Sequence, residues 1–187
     1  MPQEIELKLK VAAHDPVRQR LRERGGRPLG RVVEINRIFD DAGRTLLAGG
    51  RGLRVRECLD EHGRRLRAAL TYKGPKAPGD VKRREEIEFA IDDPAAAAEL
   101  LAVLGYTEAV HFEKYRESWR LAGCEVELDE IPHLGAYVEI EGPDEACIRR
   151  VQEDLDLVGA EVVRRSYVGL LVDYCRRRGL PADAIRF

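Results

Sequence analysis

Glu4, Glu6, Lys8 and Lys10 alternate with Ile5, Leu7, Leu9 and Val11 near the start of the sequence. In an extended strand successive side chains point to opposite faces, so two carboxylates and two amines share one face and the aliphatic residues take the other. Carboxylates are ligands for hard cations, and amines are partners for phosphate oxygens. One face carrying both suits an anion held together with a divalent cation. Taken alone, the pattern is more commonly that of a strand whose charged face is solvated. The distinction depends on whether other strands repeat it.

They do. Arg54 and Arg56 oppose Leu53 and Val55, and Thr71 and Lys73 oppose Leu70 and Tyr72. Arg84, Glu86 and Glu88 oppose Ile87, Phe89 and Ile91; Lys114 and Arg116 oppose Tyr115 and Trp119. Glu125, Glu127 and Asp129 oppose Val126 and Leu128, and Glu139 and Glu141 oppose Val138 and Ile140. A flat sheet with one charged solvent face explains each strand separately. A closed or nearly closed barrel, with helices outside and the charged parity lining its bore, explains them together. Such a bore is costly unless acids and bases pair, or a metal and an anion complete the balance. Its acids would be Glu4, Glu6, Glu127, Asp129, Glu139 and Glu141, a set suited to Mg²⁺. Its bases would be Lys8, Lys10, Arg54, Arg56, Lys73, Arg84, Lys114 and Arg116, suited to a polyphosphate. The apolar parity, Tyr115 and Trp119 included, is expected to pack as core beneath the helices.

The elements that must position these residues follow from capping and turn signals. After the first strand, Asp15-Pro16 opens a helix over 15–24, with Asp15 as N-cap, and Gly25-Gly26 ends it. Strands are expected over 32–40, 53–56, 65–73, 84–91, 110–121, 124–130 and 136–141, separated by Gly-, Pro- and Asp-containing turns. Asp92-Asp93-Pro94 caps a helix over 95–104. Two more helices are expected at 144–157 and 166–178. Short loops between most strands favour antiparallel pairing. The fold class is therefore α+β, in one domain spanning 1–187.

Bulk properties narrow the function. Hydrophobic residues are 44% of the 187, enough for a core, and 35% are charged, yet the net charge is only −2. That balance argues against a disordered tail or a general nucleic-acid binder. Arg176-Arg177-Arg178 reads as basic residues complementing the end of a helix. Four cysteines without a CxxC pair and four histidines without zinc spacing read as reduced packing thiols and surface imidazoles. A metal, if bound, would be hard and oxygen-liganded, Mg²⁺ or Mn²⁺. No signal peptide or long apolar run is present, so a cytoplasmic protein without membrane attachment is expected.

The ordered set of motifs resembles the CYTH family, the triphosphate tunnel metalloenzymes. Glu4-x-Glu6-x-Lys8 matches that family's ExExK signature. The resemblance continues in order through Asn36-x-x-Phe39-Asp40, Leu53-Arg54-Val55-Arg56, Leu70-Thr71-Tyr72-Lys73-Gly74-Pro75, Arg84-Glu85-Glu86-Ile87-Glu88, Lys114-x-Arg116, Leu128-Asp129-Glu130, Leu134-Gly135 and Val138-Glu139-Ile140-Glu141. Ser166-Tyr167-x-x-Leu170-Leu171 is similar to the class IV adenylyl cyclase branch. The resemblance implies an eight-stranded antiparallel tunnel that binds a triphosphate with Mg²⁺ or Mn²⁺. It implies metal binding by Glu4 and Glu6 with Glu139 and Glu141. It implies phosphate binding by Lys8, Arg54, Arg56, Lys73, Lys114 and Arg116, with Lys8, Arg56 and Lys114 as the catalytic bases. For Glu127 and Asp129, metal binding and organisation of the bases both stay open. Arg84 rests on a register that Glu85-Glu86 lets slip by one. The reactions implied are cyclisation of ATP to cyclic AMP and pyrophosphate, or hydrolysis of thiamine triphosphate or inorganic triphosphate. A non-catalytic nucleotide or polyphosphate sensor is a third reading, and a homodimer is what the resemblance suggests.

Overall fold

The computed structural model of the protein describes residues 3–181 and 185–187. In chain order the elements begin with β1 (Gln3–Lys10), α1 (Asp15–Glu23), β2 (Arg27–Asp40), α2 (Thr45–Ala48) and β3 (Gly52–Leu59). There follow β4 (Arg65–Lys73), β5 (Lys82–Ala90), α3 (Pro94–Val103), β6 (Thr107–Leu121) and β7 (Cys124–Ile131). The chain continues with β8 (Gly135–Glu141), α4 (Glu145–Asp154), β9 (Glu161–Val162) and α5 (Tyr167–Arg178).

Strands are neighbours in the order β5-β4-β3-β2-β6-β7-β8-β1, and β1 returns to β5, so eight strands close into a barrel. Every named pairing is antiparallel. One edge of β1 lies on β8. Its other edge is shared, with Gln3–Glu6 on β5 and Leu9–Lys10 on the added strand β9. The α+β class and the antiparallel eight-stranded closed barrel expected from parity are what the chain forms.

The main core lies between the outer barrel face and the helices. Leu7, Leu9, Val126, Leu128, Val138 and Ile140 meet Val17 and Leu21 of α1 and Ile148 and Val151 of α4. Each fully buried aliphatic side chain there contributes about 1.5–3 kcal/mol relative to exposure. A second cluster joins Leu171 and Cys175 of α5 to Ile38, Val110, Phe112 and Tyr137. Local signals explain the helix starts. Asp93 accepts from the N–H groups of Ala95 and Ala96, Asp144 from Cys147, and Ser166 from Gly169. For α1 the expected cap is corrected: His14 holds the N-cap position without a side-chain bond, and Asp15 sits inside the first turn, where it accepts from Arg18 at 2.6 Å.

Two further expectations are corrected, and two short elements come in addition. Strand β2 begins at Arg27, not near 32, because Pro28-Leu29-Gly30 is absorbed as an irregularity against β6; Gly30, at φ 135°, supplies a conformation other residues rarely adopt. Short α2 and β9 carried too few residues to show periodicity. Part of the apolar parity is not covered: Ile87, Phe89 and Tyr115 are 45%, 54% and 47% exposed. Helix α3 packs on β3 and β4, and α4 on β1, β7 and β8, leaving β5 between them open to solvent. Tyr115 instead stacks on Phe187, with ring centroids 4.2 Å apart. Trp119 is core as expected, at 4% exposure.

Candidate active site

The bore holds a cavity of about 770 Å³. Of the fourteen residues singled out from the sequence, Glu4, Glu6, Lys8, Arg54, Arg56, Lys73, Arg84, Lys114, Arg116, Glu127, Glu139 and Glu141 all line it. Each comes from the even or odd parity that faces inward on its strand, so the pleat itself does the positioning. Arg84 is in register opposite Glu4, which settles the ambiguity at Glu85-Glu86. Lys10 is corrected: its amine donates to the carbonyls of Leu134 (2.5 Å) and Ala136 (3.1 Å) and lies 4.2 Å from the centre of the Tyr137 ring. The inward face of β1 has by then reached the β7–β8 turn, whose carbonyls take the charge. Asp129 is also outside the lining. Fully buried, it accepts from Lys114 (2.9 Å), from Arg116 (2.7 and 2.6 Å) and from the Tyr167 hydroxyl (3.0 Å). That environment favours organisation of the bases over metal binding.

Two residues that sequence reasoning passed over are central. Glu34 of β2 is completely buried and lies 3.1 Å from Arg56, 3.3 Å from Lys114 and 3.8 Å from Arg116. Burial alone would raise its carboxyl, but Arg56, Lys114 and Arg116 outweigh that and hold it well below the ordinary value of 4.5. Its signal was present in the alternation Glu34-Ile35-Asn36, where Asn36 accepts from Arg56 at 3.3 Å. Lys82 opens β5, pairs in register with Glu6 and forms an ion pair with it. It was missed because β5 starts two residues earlier than expected, in a run charged on both parities.

Arg116 is the hub of one half of the site. It meets Asp129, Glu139 (2.5 Å) and Glu127, with Glu34 beyond. The other half centres on Glu4, which accepts from Lys73 (2.8 Å) and Arg84 (2.6 Å); Lys73 also pairs with Glu86 at 2.7 Å. Burial pushes the Glu4 carboxyl up, but those two cations bring it well below its ordinary value. Tyr167, from the first turn of α5, inserts into this lattice: its ring centre lies 3.6 Å from the Lys8 amine. Asp40 accepts from the backbone N–H groups of Leu46 and Leu47, both at 3.0 Å, and so anchors α2 and the glycine-rich 49–52 segment that lines the cavity after it.

Despite this pairing, charge is left unbalanced in two places. Burial, then the neighbouring Arg56, pushes Arg54 down to about 10, and its Nε is buried without a hydrogen-bond partner. Burial, then Arg54, lowers Lys73 as well. Burial pushes Lys8 down to about 7, although Glu139 lies 3.0 Å away and opposes the shift. Lys76 at the cavity wall is pushed down to about 8 by burial and then by Lys82. At each of these cations burial outweighs the carboxylates nearby, so a further anion would favour the charged form. The converse holds at Glu141, which burial, then Glu4 and Glu6, push up to about 7. Glu141 faces Glu6 directly across β1–β8 and Glu125 across β7–β8, and like charges so opposed destabilise unless something neutralises them. Glu141 itself has no ion pair among the described residues, whereas Glu6 keeps Lys82 and Glu4 keeps Lys73 and Arg84.

The donor chemistry fits a hard divalent ion. Glu127, Asp129 and Glu139 each offer an oxygen within 4.8 Å of the others, and Glu4, Glu6 and Glu141 supply further oxygens from the same lining. Of the two acidic groups, the one around Glu141 is the better fit, because Glu141 has no ion pair among the described residues while Arg116 meets all three members of the first.

Comparison with known proteins places these features. The family model described as CYTH domain matches residues 2–167. A Methanocaldococcus jannaschii protein carrying the provisional name adenylate cyclase is 27% identical over 176 residues, covering 89% of this chain and 97% of its own. A Pyrococcus horikoshii protein of known structure is 29% identical with a TM-score of 0.78, covering 91% of this chain and 99% of that one. A Hippeastrum protein, provisionally an adenylyl cyclase and described as revealing a dominant triphosphatase activity, matches at TM-score 0.68 over 96% of this chain and 97% of its own; at 20% identity that likeness concerns the fold.

Proposed function

The chain belongs to the CYTH domain family, and from that premise we propose that it is a divalent-metal-dependent enzyme that draws the triphosphate of ATP into the bore and cyclises it to cyclic AMP and pyrophosphate. The observation that carries this reading is the double imbalance of the lining. Cations whose charge burial disfavours despite the carboxylates beside them (Lys8, Arg54, Lys73) share one cavity with Glu141, whose charge burial and the neighbouring Glu4 and Glu6 disfavour. A polyphosphate with its divalent ion relieves both. The cavity volume, about 770 Å³, is within the range that holds a molecule the size of a nucleotide. Ile38, Leu47, Phe112 and Val168 add an apolar stretch to its wall, against which a base can rest.

Little covalent chemistry is asked of the protein in such a reaction; positioning and charge do most of it. Arg54 and Arg56 present paired N–H donors to phosphate oxygens, and Lys73 and Lys8 act as point charges beside them. Lys8, Arg56 and Lys114 are the catalytic candidates, since buried cations at fixed positions stabilise charge as it develops on departing pyrophosphate. Glu34, Asp129 and Tyr167 hold those three in place. Glu4, Glu6, Glu139 and Glu141 would hold the metal, Mg²⁺ or Mn²⁺, which when bound offsets phosphate charge and makes the attacking oxygen more acidic. Helix α5 lays Tyr167 and Leu171 against the bore side and keeps water from that flank.

A second reading, hydrolysis of a triphosphate on the same lining, is favoured by one observation. Ser166 caps α5 and Tyr167 props the bases, so the segment that points toward a cyclase is explained by structure alone. The deciding experiment incubates the protein with ATP, inorganic triphosphate and thiamine triphosphate separately, with Mg²⁺ or Mn²⁺, and resolves the products by chromatography. Cyclic AMP with pyrophosphate is the expected result. Orthophosphate without a cyclic product establishes the hydrolase, and tight binding without turnover establishes a sensor.

Triphosphate binding is also expected to take up protons. With Lys8 pushed down to about 7, much of it is neutral at pH 8, and an arriving polyanion raises its pKa again. Affinity for inorganic triphosphate therefore falls as pH rises above 7, by at most about tenfold per unit from this group. Calorimetry at pH 8 in two buffers of different ionisation enthalpy measures the uptake directly; Lys8→Met reduces it to the share that comes from Lys76, pushed down to about 8 on the same wall.

A further inference from the structure

We propose that Cys124 and Cys147 form a thiol pair that closes reversibly to a disulfide on contact with a hydroperoxide, stapling α4 to the β6–β7 hairpin. Their sulfur atoms are 3.2 Å apart, so closing to a bond of about 2 Å needs a shift of about 1 Å. The two residues are 23 apart in sequence and come from different layers, Cys124 from the start of β7 and Cys147 from the first turn of α4. Their environments differ in the way a reactive pair requires. Cys124 is fully buried, while Cys147 is partly exposed in the first turn of α4, so a peroxide reaches Cys147 first.

The surroundings hold the pair in place. The Cys147 thiol donates to the carbonyl of Ala122 at 3.3 Å. Ala122 and Gly123 form the two-residue hairpin turn with φ of 47° and 84°, a mirror-image turn that costs alanine some strain. Beneath Cys124 the backbone is equally tight: a Cβ on Gly142 would lie 2.7 Å from the Cys124 sulfur. The buried thiol therefore rests against the Gly142 backbone on one side and Cys147 on the other. Gly142 directly follows Glu141, so the staple would anchor the wall at the acidic end of the cavity.

The chemistry balances with a hydroperoxide as oxidant. The Cys147 thiolate attacks one peroxide oxygen; an S–O bond forms, the O–O bond breaks, and an alcohol or water leaves. The Cys124 sulfur then attacks the sulfenic sulfur of Cys147, forming S–S and breaking S–O. The departing hydroxide takes the Cys124 proton and leaves as water. Two thiols lose two electrons, and the peroxide gains them. A reducing thiol restores the pair by exchange.

The test treats the full chain with hydrogen peroxide and reads three quantities. Free thiols counted in denaturant should fall from four to two and return with dithiothreitol. Peptide mapping should find Cys124 joined to Cys147 within one chain. The oxidised protein should melt about 6–12 °C higher, as expected for closing a loop of this length in a protein of this size. In Cys124→Ser the resolving thiol is gone, so Cys147 should advance to the sulfinic acid instead. The proposal is overturned if wild-type Cys147 reaches sulfinic acid as readily as in Cys124→Ser, if the cross-link joins two chains, or if both thiols survive peroxide that oxidises a free cysteine.

Discussion

Glu6→Gln is expected to lower turnover of every triphosphate substrate by on the order of 10²–10³-fold while leaving the barrel folded. Glu6 is nearly buried in the bore, paired with Lys82 and set opposite Glu141 across β1–β8. The amide keeps the shape and removes the charge. Two consequences follow. A divalent ion loses one of the carboxylates that made the acidic end of the cavity attractive. Glu141, whose carboxyl is pushed up to about 7 partly by Glu6, is relieved of one repulsion and needs a cation less. Steady-state rates with saturating Mn²⁺, beside a thermal melt and circular dichroism, make the measurement. Cyclase and hydrolase activities should fall together, since both need the same ion. Retention of full activity would falsify the assignment of Glu6 to the metal.

Arg116→Met is expected to cost about 3–5 kcal/mol of stability at neutral pH, the loss typical of removing one partner from a buried ionic cluster. For a chain of this size that is a fall of roughly 6–20 °C in melting temperature. The guanidinium meets Glu127, Asp129 and Glu139 and faces Glu34, so its removal leaves four acids with too little positive charge. The pH dependence has a definite sign. In the wild type Glu34 and Glu139 are held well below 4.5 despite burial, by Arg56 and Lys114 and by Lys8 and Arg116 among others. Their ionised pairing therefore stabilises the fold above the unfolded value near 4.5, and that contribution is lost as pH falls further. In the variant these carboxyls protonate sooner, so the gap between the two melting curves should narrow from pH 7 to pH 4. Mn²⁺ should recover part of the loss at pH 7, because three of the orphaned carboxylates offer oxygens within 4.8 Å of one another. A variant as stable as wild type at pH 7 would show that Arg116 does not organise the bore.

Strand parity made most of the site legible before any coordinates, for a simple reason. Along a regular strand the pleat alternates sides, so a charged parity repeated on seven strands points to one shared interior. The failures came where parity loses its phase or its meaning. Through Val81-Lys82-Arg83-Arg84-Glu85-Glu86 both parities are charged, and Lys82 stayed hidden until β5 paired with β1. In β2 Glu34 lies on a strand whose polar and apolar residues are mixed, and only the barrel turns its carboxylate inward. Lys10 has the correct parity, but the β7–β8 turn waits at the end of its strand. Parity also says which side a residue faces and not what covers it. Ile87, Phe89 and Tyr115 point outward as expected, yet few helices serve eight strands, and β5 receives none of the main contacts.

The seam of the barrel has a consequence for synthesis. β1 leaves the ribosome before the other strands of the barrel, and it is closed by partners that come much later; Lys10 bonds to carbonyls 124 and 126 residues further along. At about 5–20 residues per second, roughly 6–25 s separate the two. During that interval Glu4, Glu6 and Lys8 are on a strand without its β8 neighbour, and the enclosed cavity does not exist. A nascent chain therefore has no assembled grip on metal or polyphosphate. The capacity to bind arrives late and all at once, when β8 zips onto β1.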